Sequence, residues 1–296
     1  MRTLADMGFG FNYTYPQSTG CFNYMCRAGI ELEIEGVPSP DFVTGWSAVG
    51  DGSLRNNGIE YVTDGGFAGE QLENAIDNLC EYLDDIEYDI SERCSTHIHI
   101  DVRDMTPVQV VNFLCMSTML EHVLFRLFGN KRTANIFCVP TDGGGSNYDN
   151  LVSCLVNPDV VTDLNWTKYA AIGLKRIRDL GTVEFRMFQA FTEKSQYTQV
   201  LNVLFAIKRM AKDMDSPRSL VDFKLQHSTQ EIVQVYMPDV AYAPEFDGLL
   251  ERGIQTLNDI ITSAEVVKIV EENTRKYDQV IQEARIQRRQ ASRGIV

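Results

Sequence analysis

Several short segments place ionisable side chains two residues apart: Glu31-x-Glu33-x-Glu35, His97-x-His99-x-Asp101 and Glu184-x-Arg186. A fourth, Gly58-Ile59-Glu60-Tyr61, presents Glu60 after the turn sequence Asp51-Gly52-Ser53. On a strand, alternate side chains share a face, with Cα atoms roughly 6.5–7 Å apart. Each motif therefore aims its charged groups one way. A strand with two or three carboxylates on one face gives up the apolar burial that normally fixes its register. Such a face is stable when it is wetted or neutralised by cations. Oxygen-rich donors suit Mg²⁺ or Mn²⁺, and a few histidines are compatible with either.

Taken singly, each motif has a plainer meaning. The glutamate row could be the wet side of an edge strand, and Glu184-x-Arg186 a cross-strand salt bridge. The two histidines could be hydrogen-bonded within a sheet, Asp51-Gly52-Ser53 a simple turn, and Lys168 a surface lysine. No GK[ST] follows Gly143–Gly145, which excludes a P-loop there. The HxHxD run of His97, His99 and Asp101 also occurs in dinuclear zinc hydrolases. Those sites recruit further histidines, and only His122 and His227 remain. His122 falls in an apolar helical pattern and reads as a satisfied core histidine.

The order of the blocks is more specific than any one of them. GIELEIEG, DGSL…GIEYVT, CSTHIHIDV, KYAAI and GTVEFRMF, over residues 26–190, resemble in sequence and order the amidoligase family of bacteria and phages. That family lies within the glutamine synthetase and γ-glutamylcysteine ligase superfamily of carboxylate–amine ligases. The resemblance implies an ATP-dependent enzyme with Mg²⁺ or Mn²⁺ that joins a carboxylate to an amine through an acyl phosphate. It implies that Glu31, His97 and Glu184 surround the metal facing the ATP γ-phosphate. Glu33 and Glu60, with Asp51, would surround the metal beside the carboxylate substrate. His99 would point at phosphate or substrate, and Arg186 and Lys168 would stabilise the transferring phosphoryl group. Gly173 departs from the polar residue often found in the family, and Arg176 and Arg178 are candidates for additional arginines. The implied partners are a carboxylate and an amine, small molecule or peptide, and a glutaminase-type amidotransferase as ammonia source. A homo-oligomer is also within the superfamily's habits. A structural or virion-associated relative that keeps the fold without turnover is the alternative.

The elements that must position these residues are legible in the hydropathy pattern. Residues 29–35, 58–63, 96–102 and 181–188 alternate or are rich in β-branched and aromatic side chains, and read as strands. Helices are expected over 69–87, over 107–128 behind a Thr106-Pro107 start, and over 193–213 behind Thr192. Residues 141–150 read as a mobile loop. The strands carry polar residues on one face, unlike doubly covered parallel strands. The expected class is α+β: a mainly antiparallel, curved half-barrel sheet of the glutamine synthetase type, polar face half open, helices packed on one side. The expected division is a catalytic domain over 1–243 and a helical extension over 244–296. In that extension Val266, Val270, Asn273, Tyr277, Val280 and Ala284 form a heptad-like stripe, compatible with packing on its own domain or with self-association. Its basic end, ARIQRRQASRG, complements a helix C-terminus.

The 296 residues are enough for one large domain or two modest ones, and 44% apolar with 23% charged composition excludes disorder. A balance of 27 basic against 41 acidic residues, net −14, disfavours nucleic-acid binding by charge alone. No run of eighteen apolar residues occurs, and the first residues lack a basic-then-apolar leader. The expectation is a cytoplasmic protein without a membrane span, in the host cytoplasm if phage-encoded. Seven scattered cysteines without a CxxC pair read as free thiols.

Overall fold

The four expected strands form close to their expected ends in a computed structural model that describes residues 2–9, 26–37, 39–143 and 145–293. They are β1 (Ala28–Ile34), β3 (Ile59–Thr63), β4 (Ser95–Asp101) and β6 (Thr182–Gln189). Two more join them, β2 (Trp46–Gly50) and β5 (Ile172–Gly173). The six make one sheet in the order β2-β3-β1-β4-β6-β5, with every neighbouring pair antiparallel. With seven α-helices among the described residues, the class is α+β.

The sheet's two faces differ as the alternation requires. Ala28, Ile30, Leu32 and Ile34 of β1 and Ile98 and Ile100 of β4 are fully buried in the main core. That core is shared with α1 (Glu70–Asp84), α2 (Pro107–Phe128) and α4 (Lys194–Asp213). The Trp46 indole of β2 donates to the Ala75 carbonyl of α1 at 2.7 Å, and Phe113 of α2 meets Phe185 of β6 edge to face. The other face is not half open. Glu33, His97, His99 and Glu184 are all 5% exposed or less. The segments following α2 and preceding β5, joined by a Val139–Ala170 bridge, contribute Arg132, Phe137, Lys168 and Tyr169 to a cavity over it.

Helix α2 starts where expected, with Thr106 as N-cap and a reciprocal Gln109 side chain completing a capping box. It is apolar all round, and it is the described helix long and apolar enough to cross a membrane. Its apolar window is 89% buried inside the protein, the behaviour of a core helix. Helix α4 begins with a Glu193–Gln196 capping box, so the N-cap is Glu193 and not Thr192.

The loop expected over 141–150 is mostly helical. A 3₁₀ turn at Thr141–Gly143 leads to α3 (Ser146–Val156), entered from Gly145 at φ 83°, a conformation that favours glycine. Leu151 and Cys154 bury one side of α3, and the polar composition of its first turn hid that face. The short helices α5 (Arg218–Gln226) and α6 (Thr229–Tyr236) follow α4 and lead to α7 (Phe246–Arg293).

Helix α7 does not behave as an appendage from its start. Leu250, Leu257, Ile260 and Ala264 are buried in the main core. A Cβ on Gly253 would stand 2.0 Å from the Met119 carbonyl oxygen of α2, so glycine is what lets the two helices touch. From Glu265 to Ile286 the helix is exposed except at half-buried Ile281, and the exposed residues include Val266, Val270, Tyr277 and Val280 of the heptad-like stripe. Among the described residues, nothing of its own domain covers that stripe. The basic end is helical through Arg293, and its side chains beyond Ile286 lie outside the described residues. Cys26, Cys80, Cys94, Cys115, Cys138 and Cys154 are free; Cys21 also lies outside the described residues.

Glu121 in α2 is a buried carboxyl remote in sequence from the strand motifs. It accepts hydrogen bonds from the Thr141 amide at 2.9 Å and hydroxyl at 3.2 Å. Burial, with Asp142 nearby, pushes its pKa up to about 8. The folded protein thus holds a proton there that the unfolded chain releases near pH 4.5. Stability contributed by this group falls as pH rises from about 4.5 to about 8, by up to ~1.4 kcal/mol per pH unit, and levels off above. Glu121→Gln, which keeps an acceptor for Thr141, is expected to flatten this slope in urea unfolding at pH 5, 6.5 and 8. A variant with an unchanged slope would clear Glu121 of the effect.

Candidate active site

Strand register brings the ionisable motifs into three cross-strand pairs. Glu60 lies opposite Glu33, Glu31 opposite His97, and His99 opposite Glu184. Directly opposed side chains on one face are roughly 4.5–5.5 Å apart, so the sequence spacing becomes a two-dimensional patch. A bulge between Thr96 and Ile98 resets the β4–β6 register and sets His99 against Glu184. Two glycines sit beside these residues: Gly29 opposite His99 on β1, and Gly173 opposite Glu184 on β5. Neither adds a side chain to the patch.

Glu31 is the link between the histidines. Its Oε2 is 2.9 Å from Nδ1 of His97, and its Oε1 is 3.2 Å from Nε2 of His99. Nε2 of His99 also lies 3.9 Å from Glu184, while its Nδ1 meets the Thr182 hydroxyl at 3.1 Å. On the other side of His97, Nε2 meets the Ser95 hydroxyl at 2.9 Å, and that hydroxyl donates to Glu33. Arg186 forms an ion pair with Glu184.

Ligand atoms of three residue groups fall within 4.8 Å of one another: Glu31–His99–Glu184, Glu31–Glu60–His97 and Glu33–Asp51–Glu60. All six residues implied as metal ligands thus lie in one patch, and His99 joins them. The partnering differs in one respect from the set implied by the resemblance: Glu184 neighbours His99, while His97 lies with Glu31 and Glu60. Lys168 lines the cavity with its ammonium 4.7 Å from the Tyr169 ring centroid.

Other candidates stand apart. Glu35 turns away from the row to accept the Arg55 amide at 2.8 Å. Asp101 is held by Arg103, whose Nε and Nη2 reach its two oxygens at 2.9 and 2.7 Å. It is not available to the histidines as an HxHxD ligand. His122 hydrogen-bonds Asp142 at 3.0 Å, and His227 stacks on Phe223. Arg176 and Arg178 pair with Asp179 and Asp163 and do not line the cavity. Cys94 is buried, and burial pushes its thiol up, so it is no nucleophile.

Several cavity residues were missed. Ser95 continues the His97–His99 alternation by one step and could have been read from it. Arg93 lies one further step back on the same alternation, whereas Arg132 and Phe137 line the cavity from positions with no periodic signal.

The electrostatics show what the patch lacks. Burial, with the charges of Glu31, Glu33 and Asp51, pushes Glu60 up to about 8. Burial opposes ionising Glu31, but hydrogen bonds from His97 and His99 outweigh it and hold its carboxyl well below the usual range. Burial likewise disfavours a charged His99, yet Glu31 and Glu184 raise its pKa above the ordinary value. Glu184 is lowered because His99 and Arg186 overcome its burial. A proton on Glu60 thus relieves part of the negative charge crowded on this face. Nε2 of His99 is buried without a well-aligned hydrogen-bond partner. Carboxylate-rich groups with an available imidazole nitrogen fit Mg²⁺ or Mn²⁺.

No protein-family model and no curated protein sequence matches this chain. What the fold and site define is an α+β protein with a buried, histidine-bearing polyanionic sheet face beneath a cavity partly walled by arginines and lysine.

Mg²⁺ or Mn²⁺ alone is expected to raise the unfolding temperature. The stabilisation should approach about 2.7 kcal/mol at a concentration one hundred times the dissociation constant. Glu31→Gln, which alters two of the three groups, is expected to remove most of the rise in a thermal melt. A wild-type melt unmoved by millimolar cation would refute cation binding.

Proposed function

We propose that this chain is an ATP- and Mg²⁺- or Mn²⁺-dependent carboxylate–amine ligase that forms an amide through an acyl phosphate. In this reading its antiparallel sheet is a curved half-barrel of the glutamine synthetase catalytic type. The observation that carries the proposal is the shared carboxylate of Glu31 between His97 and His99, flanked by Glu184–Arg186 and by the Glu33–Asp51–Glu60 group. Five motifs scattered over the chain converge on one cavity floor, in the order the amidoligase blocks require.

A carboxylate is a poor acyl donor because its leaving group would be an oxide. Its attack on the ATP γ-phosphate would release ADP and leave an acyl phosphate, from which the amine displaces inorganic phosphate to form the amide; the first step brings two anions together, and bound divalent cations would offset that repulsion. The chain's own residues do the positioning. Glu184 fixes the Arg186 guanidinium, whose buried Nε has no acceptor among the described residues and is left as a donor for developing phosphoryl charge. Lys168 adds a second cation at the cavity wall. The Ser95 hydroxyl orients the His97 ring, and Thr182 orients His99. Burial of the floor keeps water from competing for the acyl phosphate.

The metallohydrolase alternative loses its third ligand to the Asp101–Arg103 pair. A cytoplasmic location fits both ATP supply and free thiols, and a glutaminase-type partner would supply ammonia.

Phosphate release from ATP and Mg²⁺ across a panel of carboxylic acids and amines tests the proposal. Glu184→Gln and Arg186→Gln are each expected to lower turnover a hundredfold or more, equivalent to about 3–4 kcal/mol of barrier, in folded protein. Near-wild-type turnover in either variant would remove that residue from the mechanism. Absence of ATP binding by calorimetry with Mg²⁺ would favour the non-catalytic structural role.

A further inference from the structure

Arg132 stands in a 3₁₀ turn at Asn130–Arg132, directly after α2, and is only 3% exposed. A guanidinium is always charged, and burying one without a counter-charge is costly. Arg103 and Lys208, equally buried, each have an acid: Asp101 at 2.7 Å and Asp104 at 2.7 Å. Arg132 has none within ion-pair distance among the described residues. Its Nη1 donates to the carbonyls of Glu92 at 3.4 Å and Cys94 at 3.1 Å, while its buried Nε has no acceptor. The backbone bonds hold the guanidinium plane, and the Nε edge remains, the edge suited to a forked contact with a planar oxyanion.

Two more cations line the same cavity without an acidic partner among the described residues. Arg93 donates to the Ser53 carbonyl at 2.8 Å, and Lys168 lies over the Tyr169 ring. Glu33 and Asp51 face them from the carboxylate floor. The cavity holds about 130 Å³. Pockets for drug-sized ligands run to roughly 300–1,000 Å³, so this one takes the end of a substrate and not a whole nucleotide.

We propose that Arg132, with Arg93, binds an oxyanion carried by the acceptor acid, separate from the carboxylate that reacts. The acceptor is then a polyanionic acid with at least two negative groups. Naming it the acceptor rests on the ligase reading; the anion site rests on the unpaired buried arginine.

Calorimetric titration of acetate, glutarate and inorganic phosphate into the full chain, with Mg²⁺ and no nucleotide, tests this. Glutarate is the simplest flexible probe with a second carboxylate. It is expected to bind at least tenfold more tightly than acetate, and Arg132→Gln is expected to erase that advantage. Arg132→Lys, which keeps charge but loses the fork, should restore little of it. Because Arg132 also ties its turn to the start of β4, Arg93→Gln serves as the second variant, expected to weaken glutarate severalfold without lowering the melting temperature. The site is overturned if glutarate shows no advantage, or if both glutamine variants fold and bind it as wild type does. Arginine-dependent binding of phosphate in place of glutarate would overturn the acceptor as the source of the oxyanion. If ATP-dependent turnover is absent yet glutarate binding still requires Arg132, the ligase reading fails while the anion site stands.

Discussion

The structure turns on one constraint: a sheet face crowded with carboxylates has been buried. Glu31, Glu33 and Glu184 stand within reach of each other's partners, and the floor they share is largely closed to solvent. Burying like charges is unfavourable unless positive charge accompanies them. In the isolated chain Arg186 provides part of it, and a proton on Glu60 removes one of the negative charges. The cost is borne by the opposite face, where Ile30, Leu32, Ile98 and Ile100 pack into a core shared with α1, α2 and α4. The apolar face fixes the register, and the register fixes which ionisable groups meet. A one-residue slip would exchange the two faces and destroy both.

The overall excess of acid, net −14, conceals a local division. Most of the carboxylates occupy the floor, where Arg186 pairs with Glu184, and Arg93, Arg132 and Lys168 occupy the adjoining wall. An arrangement meant only to stabilise the fold would interleave the signs, as Asp104 does with Lys208 and Lys212. Holding them apart leaves a field across the cavity, favourable to a ligand that is cationic at one end and anionic at the other. Cations with a bound polyanion meet that description.

How much could be read beforehand follows from which physics is local. Strand alternation is local, so β1, β3, β4 and β6 and their polar faces were legible from the motifs themselves. The start of α2 was legible because Thr106-Pro107 is a local signal. Partnering within the patch was not. Whether His97 or His99 stands beside Glu184 depends on pairing across strands and on the bulge between Thr96 and Ile98. Glu35 was placed in the row by spacing, but Arg55, from the far side of a turn, captures it. Arg132 carries no periodic signal, because its role comes from the end of α2 being carried to the start of β4. The start of α3, residues 146–150, reads as loop because its polar composition precedes the buried Leu151 and Cys154. The first half of α7 was set outside the domain because nothing local in Gly253 announces a contact with Met119.

With a cation and an anion bound as proposed, the division between floor and wall would couple the two ligands to one another. Without cations, an anion at Arg132 would face Glu33 and Asp51 across a small cavity and be repelled by both. A cation at those carboxylates removes the repulsion and adds attraction. Binding of either ligand therefore strengthens binding of the other, and linkage makes the gain equal in both directions. The coupling needs no conformational change, since Coulomb interaction across a poorly screened cavity suffices. It also gives the bridging position of Glu31 a functional sense. A carboxylate shared by two of the ligand groups lets occupancy of one alter the charge felt at the next, so floor and wall fill as a unit.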